Sequence, residues 1–188
     1  MKRRWTWAGA WLLTGLCGAW AVSAAAQELV VIDGRDTENL VTSVHGEGEA
    51  RSDFRTIGVA GQPFKEAVRA RVTRPIDPAW HIQVVTRYSL IPVRRGDLLK
   101  GSYYIRGTSK NGSPPEVRLA FSKLVDGYES LLEAPVEVTD EWQRQEFQLV
   151  AGKDYDKGVL IVGFHLGSKA QTVEVADFKI VIGVAEPE

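Results

Sequence analysis

Short blocks in which apolar and polar residues take turns, each closed by a cluster of turn formers, run along most of this chain. They are Glu28–Ile32, Phe54–Ala60, Phe64–Thr73, Trp80–Thr86, Ser102–Thr108, Glu116–Leu124, Pro135–Thr139, Trp142–Val150, Val159–Gly167 and Gln171–Gly183. A period of two residues sends neighbouring side chains to opposite faces, so each block predicts a β-strand. Between them, RRGD, KNGSPP, VDGYE and AGKDYDKG supply the Gly, Pro, Asn and Asp that tight turns need. No window keeps a helical period with caps through three turns. The expectation is an all-β chain, an antiparallel β-sandwich of the jelly-roll kind. Residues 34–52, GRDTENLVTSVHGEGEARS, are polar and without period, and predict a long loop or irregular cover.

Alternation also sorts the faces. Val117, Leu119 and Phe121 oppose Glu116, Arg118, Ala120 and Ser122. Tyr103 and Ile105 oppose Ser102, Tyr104 and Arg106, while Val162, Phe164 and Leu166 oppose Ile161, Gly163 and His165. A sandwich needs only its inner faces apolar. The long hydrogen-bonding side chains on the outer faces are therefore the informative excess. In Trp80–Thr86, His81 and Gln83 fall on one side and Trp80, Ile82 and Val84 on the other. Trp80 and Gln83 share a surface only if Trp80 turns over the rim at the strand start.

The N-terminus adds a compartment. Lys2, Arg3 and Arg4 precede a short apolar run that closes on Ala24-Ala25-Ala26. This is the pattern of a secretory signal peptide cleaved near Ala26/Gln27, and it predicts a secreted or periplasmic protein with no membrane span. The expected organisation is a signal peptide over 1–26, N-terminal strands and irregular cover over 27–62, the main β-sandwich over 63–184, and a tail over 185–188. Mature charges would number 20 basic and 24 acidic, with no basic run, which argues against a nucleic-acid partner. The single cysteine, Cys17, falls in the signal segment, so the fold must stand on its core.

From Phe64 to Val181 several passages resemble, in order, those of the carbohydrate-binding modules of the family 4, 9 and 22 type. They are FKEAVRARV, AWHIQV, VRRGDLLKGSYYIRG, VRLAFSKLVDGYES, VEVTDEWQRQEFQLVAG and FHLGSKAQTVEVADFKI. The resemblance implies a galactose-binding-domain-like jelly roll and a polysaccharide or oligosaccharide partner, either a plant-type β-glycan or a uronic-acid-containing glycan. Such modules are usually tethered to a glycosidase, and a separate glycosidase working on the same polymer is a further candidate partner here. Trp80 and Tyr128 occupy positions similar to the family's stacking aromatics. Asp177 matches an aspartate that, with the N-terminal segment, holds a structural calcium in such modules, and Asp33 could contribute. The chain departs from the pattern at His81, where the family carries an acidic residue.

Sugars present C–H faces that lie on aromatic rings and hydroxyls that pair with planar polar groups. Trp80, Tyr128, Arg118, Gln83, Arg106, Tyr104 and His165 are the candidates for such a site. Each has a plainer reading: Trp80 as a cap on the sandwich end, Tyr128 as cover for an edge, the arginines as cross-strand partners of Glu116 or Glu146. No G-x-S-x-G or H-E-x-x-H motif is present. The expected function is non-catalytic glycan binding. The alternatives are an adhesive, protein-binding sandwich and a small jelly-roll polysaccharide lyase using Gln83, His81, Arg118 and Tyr104.

Overall fold

The computed structural model describes residues 28–183. The expected signal peptide and C-terminal tail lie outside them. Eleven strands are found: β1 Leu29–Gly34, β2 Leu40–Val44, β3 Ser52–Gly58, β4 Glu66–Val72, β5 Ile82–Thr86, β6 Leu98–Ser109, β7 Val117–Lys123, β8 Glu129–Val136, β9 Gln143–Val150, β10 Leu160–His165 and β11 Gln171–Gly183. They form two antiparallel sheets. One runs β3-β4-β11-β6-β9 with β1 also paired to β11, and the other runs β2-β5-β10-β7-β8. The all-β jelly-roll sandwich expected from alternation is what the chain adopts.

The inner faces meet in one core. Phe121, Phe164 and Phe178 are fully buried there with Ile105, Leu119 and Val162. The Tyr103 ring meets Phe164 edge-on at 5.0 Å and stacks near Phe178 at 6.0 Å. Burial of each such side chain contributes roughly 1.5–3 kcal/mol before ordering costs, which is why the parity of these positions fixes the register. The buried Gln171 amide ties the layers at one end. Its Nε2 donates to the carbonyls of Leu166 at 2.8 Å and Glu116 at 2.9 Å, and its Oε1 accepts from the Glu116 amide at 2.7 Å. Among the described residues no buried side-chain polar atom lacks a partner.

In β11 the register against β6 shifts between Ala176 and Lys179, with Asp177 at a φ of 50°. This is a β-bulge. It lets Val173 and Val175 point into the core on one side and Phe178 and Ile180 on the other.

Three elements differ from the sequence reading. β2 lies inside the segment expected to be irregular, and β8 begins at Glu129 rather than Pro135. Both are edge strands of the five-stranded sheet. Edge strands bury little, so their alternation is faint; in β2 only Leu40 is buried. Pro135 is tolerated in β8 because an edge strand has ladder positions without a partner. Third, Trp80 sits in a 3-10 turn, Ala79–His81, ahead of β5 instead of within it.

Candidate functional site

That 3-10 turn builds one end of a surface groove. The Ala79 carbonyl accepts from the Gly167 amide at 2.9 Å, and the His81 carbonyl accepts from the His45 amide at 2.9 Å. A Cβ on Gly167 would lie 2.6 Å from the Ala79 oxygen, so only glycine permits this approach. Thus pinned, Trp80 turns over the rim onto the outer face of the five-stranded sheet. Its indole meets the His45 ring edge-on at 5.3 Å and the His81 ring at 4.4 Å. Even so, 43% of the residue stays exposed.

The groove encloses about 510 Å3. Register places Gln83 beside His165 and His165 beside Arg118 in one cross-strand row, and Gly163 beside Ala120 and Glu133 in the next. Gly163, Ala120 and Ser122 make a low floor; Trp80, His45 and Gln83 rise on one side, Leu124 and Tyr128 on the other. Tyr128 is 65% exposed, in the turn before β8, with its hydroxyl 3.5 Å from Ser122 Oγ. A Cβ on Gly163 would come within 2.6 Å of Gln83 Oε1. The missing side chain is what lets the Gln83 amide lie across the floor.

Burial holds the His165 imidazole below its ordinary pKa; nearby Glu133 opposes that shift and Arg118 adds to it. A neutral ring carries one donor and one acceptor nitrogen, which suits hydroxyl groups. Arg118 Nε donates to Glu133 Oε1 at 2.9 Å, but both side chains are half exposed, so the pair adds at most about 1 kcal/mol.

No family model matches the chain, and no curated protein matches it in sequence. Solved structures do match. A CBM4 structure superposes with a TM-score of 0.57 at 18% identity, over 84% of this chain and 96% of its own. The CBM22-1 xylan-binding domain of Paenibacillus barcinonensis Xyn10C gives 0.55 at 12% identity, over 85% and 97%. The N-terminal cellulose-binding domain of Cellulomonas fimi β-1,4-glucanase C gives 0.51 at 16%, over 77% and 94%. The fold is that of the carbohydrate-binding jelly rolls.

Of the residues singled out in the sequence, this jelly roll brings Trp80, Gln83, Tyr128 and His165 together in the groove, with Arg118 in the adjoining row. It does not bring Arg106 and Tyr104 there. Both are on β6, on the outer face of the other sheet. Tyr104 packs on Phe64 at 5.0 Å in a small satellite cluster, and Arg106 Nε donates to Glu174 Oε2 at 2.6 Å. Reasoning from sequence missed His45, Glu133 and Leu124. His45 was hidden in the polar segment whose strand is hardest to read, and the turn VDGYE drew attention to its tyrosine rather than to the Leu124 that precedes it.

The calcium expectation turns on Asp33 and Asp177. Both Asp33 oxygens accept from Arg35, Oδ1 from Nε at 2.8 Å and Oδ2 from Nη2 at 2.5 Å, and these bonds hold its carboxyl below the usual range. Asp177 is held above its usual range by burial, with Arg35 opposing. Among the described residues no three His, Asp or Glu side chains converge as a metal cage. As arranged, this pair does not fit a calcium ion. The cation beside Asp33 is the Arg35 guanidinium.

Proposed function

We propose that this protein binds a polysaccharide chain in the groove of its five-stranded sheet. The observation that carries the reading is a pair of exposed rings, Trp80 and Tyr128, set at two ends of a floor of small side chains. Rings left that open favour stacking against sugar C–H faces. Between them, Gln83, His165 and Glu133 offer donors and acceptors at the height of the hydroxyls. The similar xylan- and cellulose-binding structures support a β-linked glycan as the ligand class. A micromolar to millimolar dissociation constant, roughly −8 to −4 kcal/mol, is expected of so open a site.

The protein acts without catalysis in this reading. Glu133 is the one carboxylate lining the groove among the described residues, and Arg118 is bonded to it. Glycoside hydrolysis by paired carboxylates needs two. The protein is exported, with its signal removed near Ala26/Gln27, and serves a separate glycosidase acting on the same polymer.

One observation favours a second reading. Gln83, His165 and Arg118 stand in a single cross-strand row with the Tyr128 phenol in the same groove, the group types of a β-eliminating polysaccharide lyase. Affinity electrophoresis of the mature protein through xylan, cellulose derivatives and mixed-linkage β-glucan decides between them. Retention that Trp80→Ala and Tyr128→Ala abolish supports binding; no retention in any gel sinks it. Ultraviolet absorbance of unsaturated uronate during incubation with polyuronates would install the lyase instead.

A further inference from the structure

The outer face of the six-stranded sheet carries a second constellation, which the groove does not use. Strand register puts Arg55 of β3 directly opposite Arg69 of β4, Arg69 opposite Glu174 of β11, and Glu174 opposite Arg106 of β6. One step along the sheet, Arg71 lies opposite Thr172, which lies opposite Thr108. These residues line an open depression of about 520 Å3, to which Asp140 also contributes. It adjoins a second hollow lined by Arg71, Thr108, Thr172 and Lys110.

Its charges are not those of an ordinary ion-paired surface. Glu174 is 5% exposed and engaged at both oxygens: Oε1 accepts from Arg69 Nε at 2.6 Å, Oε2 from Arg106 Nε at 2.6 Å. Arg106 also lies over the Trp142 ring, 4.8 Å from its centroid. Glu174 therefore orients two guanidinium groups, and its ion pairs are to these two and not to Arg55 or Arg71. Arg55 and Arg71 are exposed; Asp53 of β3 lies opposite Arg71 in the register, yet neither arginine has a carboxylate within ion-pair distance among the described residues. Like charges set opposite each other across strands destabilise a sheet. Four arginines against two acids also run counter to the acidic balance of the mature chain. Guanidinium forks donate to carboxylates in bidentate pairs. Neighbouring strands space them by about 4.8 Å, and alternate residues along a strand by roughly 6.7 Å.

We infer that this face is a second binding site, for a polysaccharide bearing carboxylates, a polyuronate, with Arg55 and Arg71 as its free contacts and Arg69 and Arg106 held in place by Glu174. An extended acidic chain lying across the strands would meet several guanidinium groups in turn and offset their mutual repulsion. The site is on a different sheet from the groove and stands whether or not the groove binds glycan.

The test is affinity electrophoresis and calorimetry of the mature protein with polygalacturonate and alginate, each beside its carboxyl-reduced counterpart. Arg55→Gln/Arg71→Gln is compared with Trp80→Ala, and thermal melts check folding. The double variant should weaken polyuronate binding about tenfold or more while Trp80→Ala leaves it intact. Carboxyl reduction should abolish it, and added salt should weaken it. Binding to neither polyuronate overturns the proposal, as does binding that the double variant retains or Trp80→Ala removes. Duplex DNA held as tightly as polyuronate, at equal ionic strength, would overturn the assignment to a glycan. Loss of neutral-glucan retention in Trp80→Ala is read separately and bears on the groove alone.

Discussion

The two outer faces of this sandwich are built from the same strand geometry and end up opposite in kind. On the five-stranded sheet the outward positions of β7 and β10 are small, Ala120, Ser122 and Gly163, so the surface sinks between tall neighbours and leaves rings exposed. On the six-stranded sheet the outward positions carry long side chains: Arg69 of β4 and Arg106 of β6 bond to the buried carboxylate of Glu174 on β11, and Arg55 of β3 and Arg71 of β4 stand beside them, unpaired among the described residues. On the readings proposed above, one face would select a ligand by shape and the other by charge. The contrast teaches that outward residues must be judged by what their cross-strand neighbours leave room for.

The comparison breaks most easily at Trp80. Trp80→Ala should cost about 2 kcal/mol of glycan affinity, some 30-fold, with little loss of stability because the ring is half exposed. Calorimetry checks the affinity and a urea melt the stability. Next comes Glu174→Gln. It leaves Arg69 and Arg106 without a counter-charge and should lower the unfolding free energy by about 1–3 kcal/mol, measured in urea, leaving neutral-glucan binding unchanged. An unchanged urea midpoint would mean that the charged face is not held in advance. Gly163→Ala should be milder: the new methyl displaces the flexible Gln83 amide and lowers groove affinity by about 1 kcal/mol, with no effect at the arginines.

Smaller still is the effect of pH. His165 has its pKa lowered in the folded state, so the unfolded chain binds the proton first and stability rises with pH across that interval. Nothing is lost above the ordinary imidazole value of about 6.5. Groove affinity, followed by titration calorimetry, should stay flat from pH 8 to that value and weaken only in more acid solution; His165→Gln should flatten the profile. The smallest effect expected is that of a chelator. With Arg35 on Asp33, EDTA should leave the melting temperature unchanged, whereas Arg35→Ala should lower it.

Alternation made the strands and their two faces legible. It was blind to which sheet a strand joins. Arg106 and Arg118 both point outward, yet β6 and β7, consecutive in the chain, enter different sheets, so the two arginines serve opposite surfaces. That assignment depends on long-range pairing, which no local pattern carries. Trp80 shows the reverse case. Strict alternation set it against Gln83, and a 3-10 turn fixed by Gly167 and His45 brings them into one groove. His45 went unread because its neighbourhood, on the edge strand β2, buries a single side chain.

The bulge in β11 has a consequence of its own. Glu174 faces outward because even-numbered positions do so ahead of Asp177, while Phe178 and Ile180 face the core because even-numbered positions point inward after it. The strand is two reading frames spliced at one residue. Deleting Asp177 would be a frameshift without any change of codon phase: either the phenylalanine and isoleucine swing out to solvent, or the glutamate is driven into the core and its two arginines are stranded. Insertions and deletions there should be lethal to the fold where substitutions are merely costly.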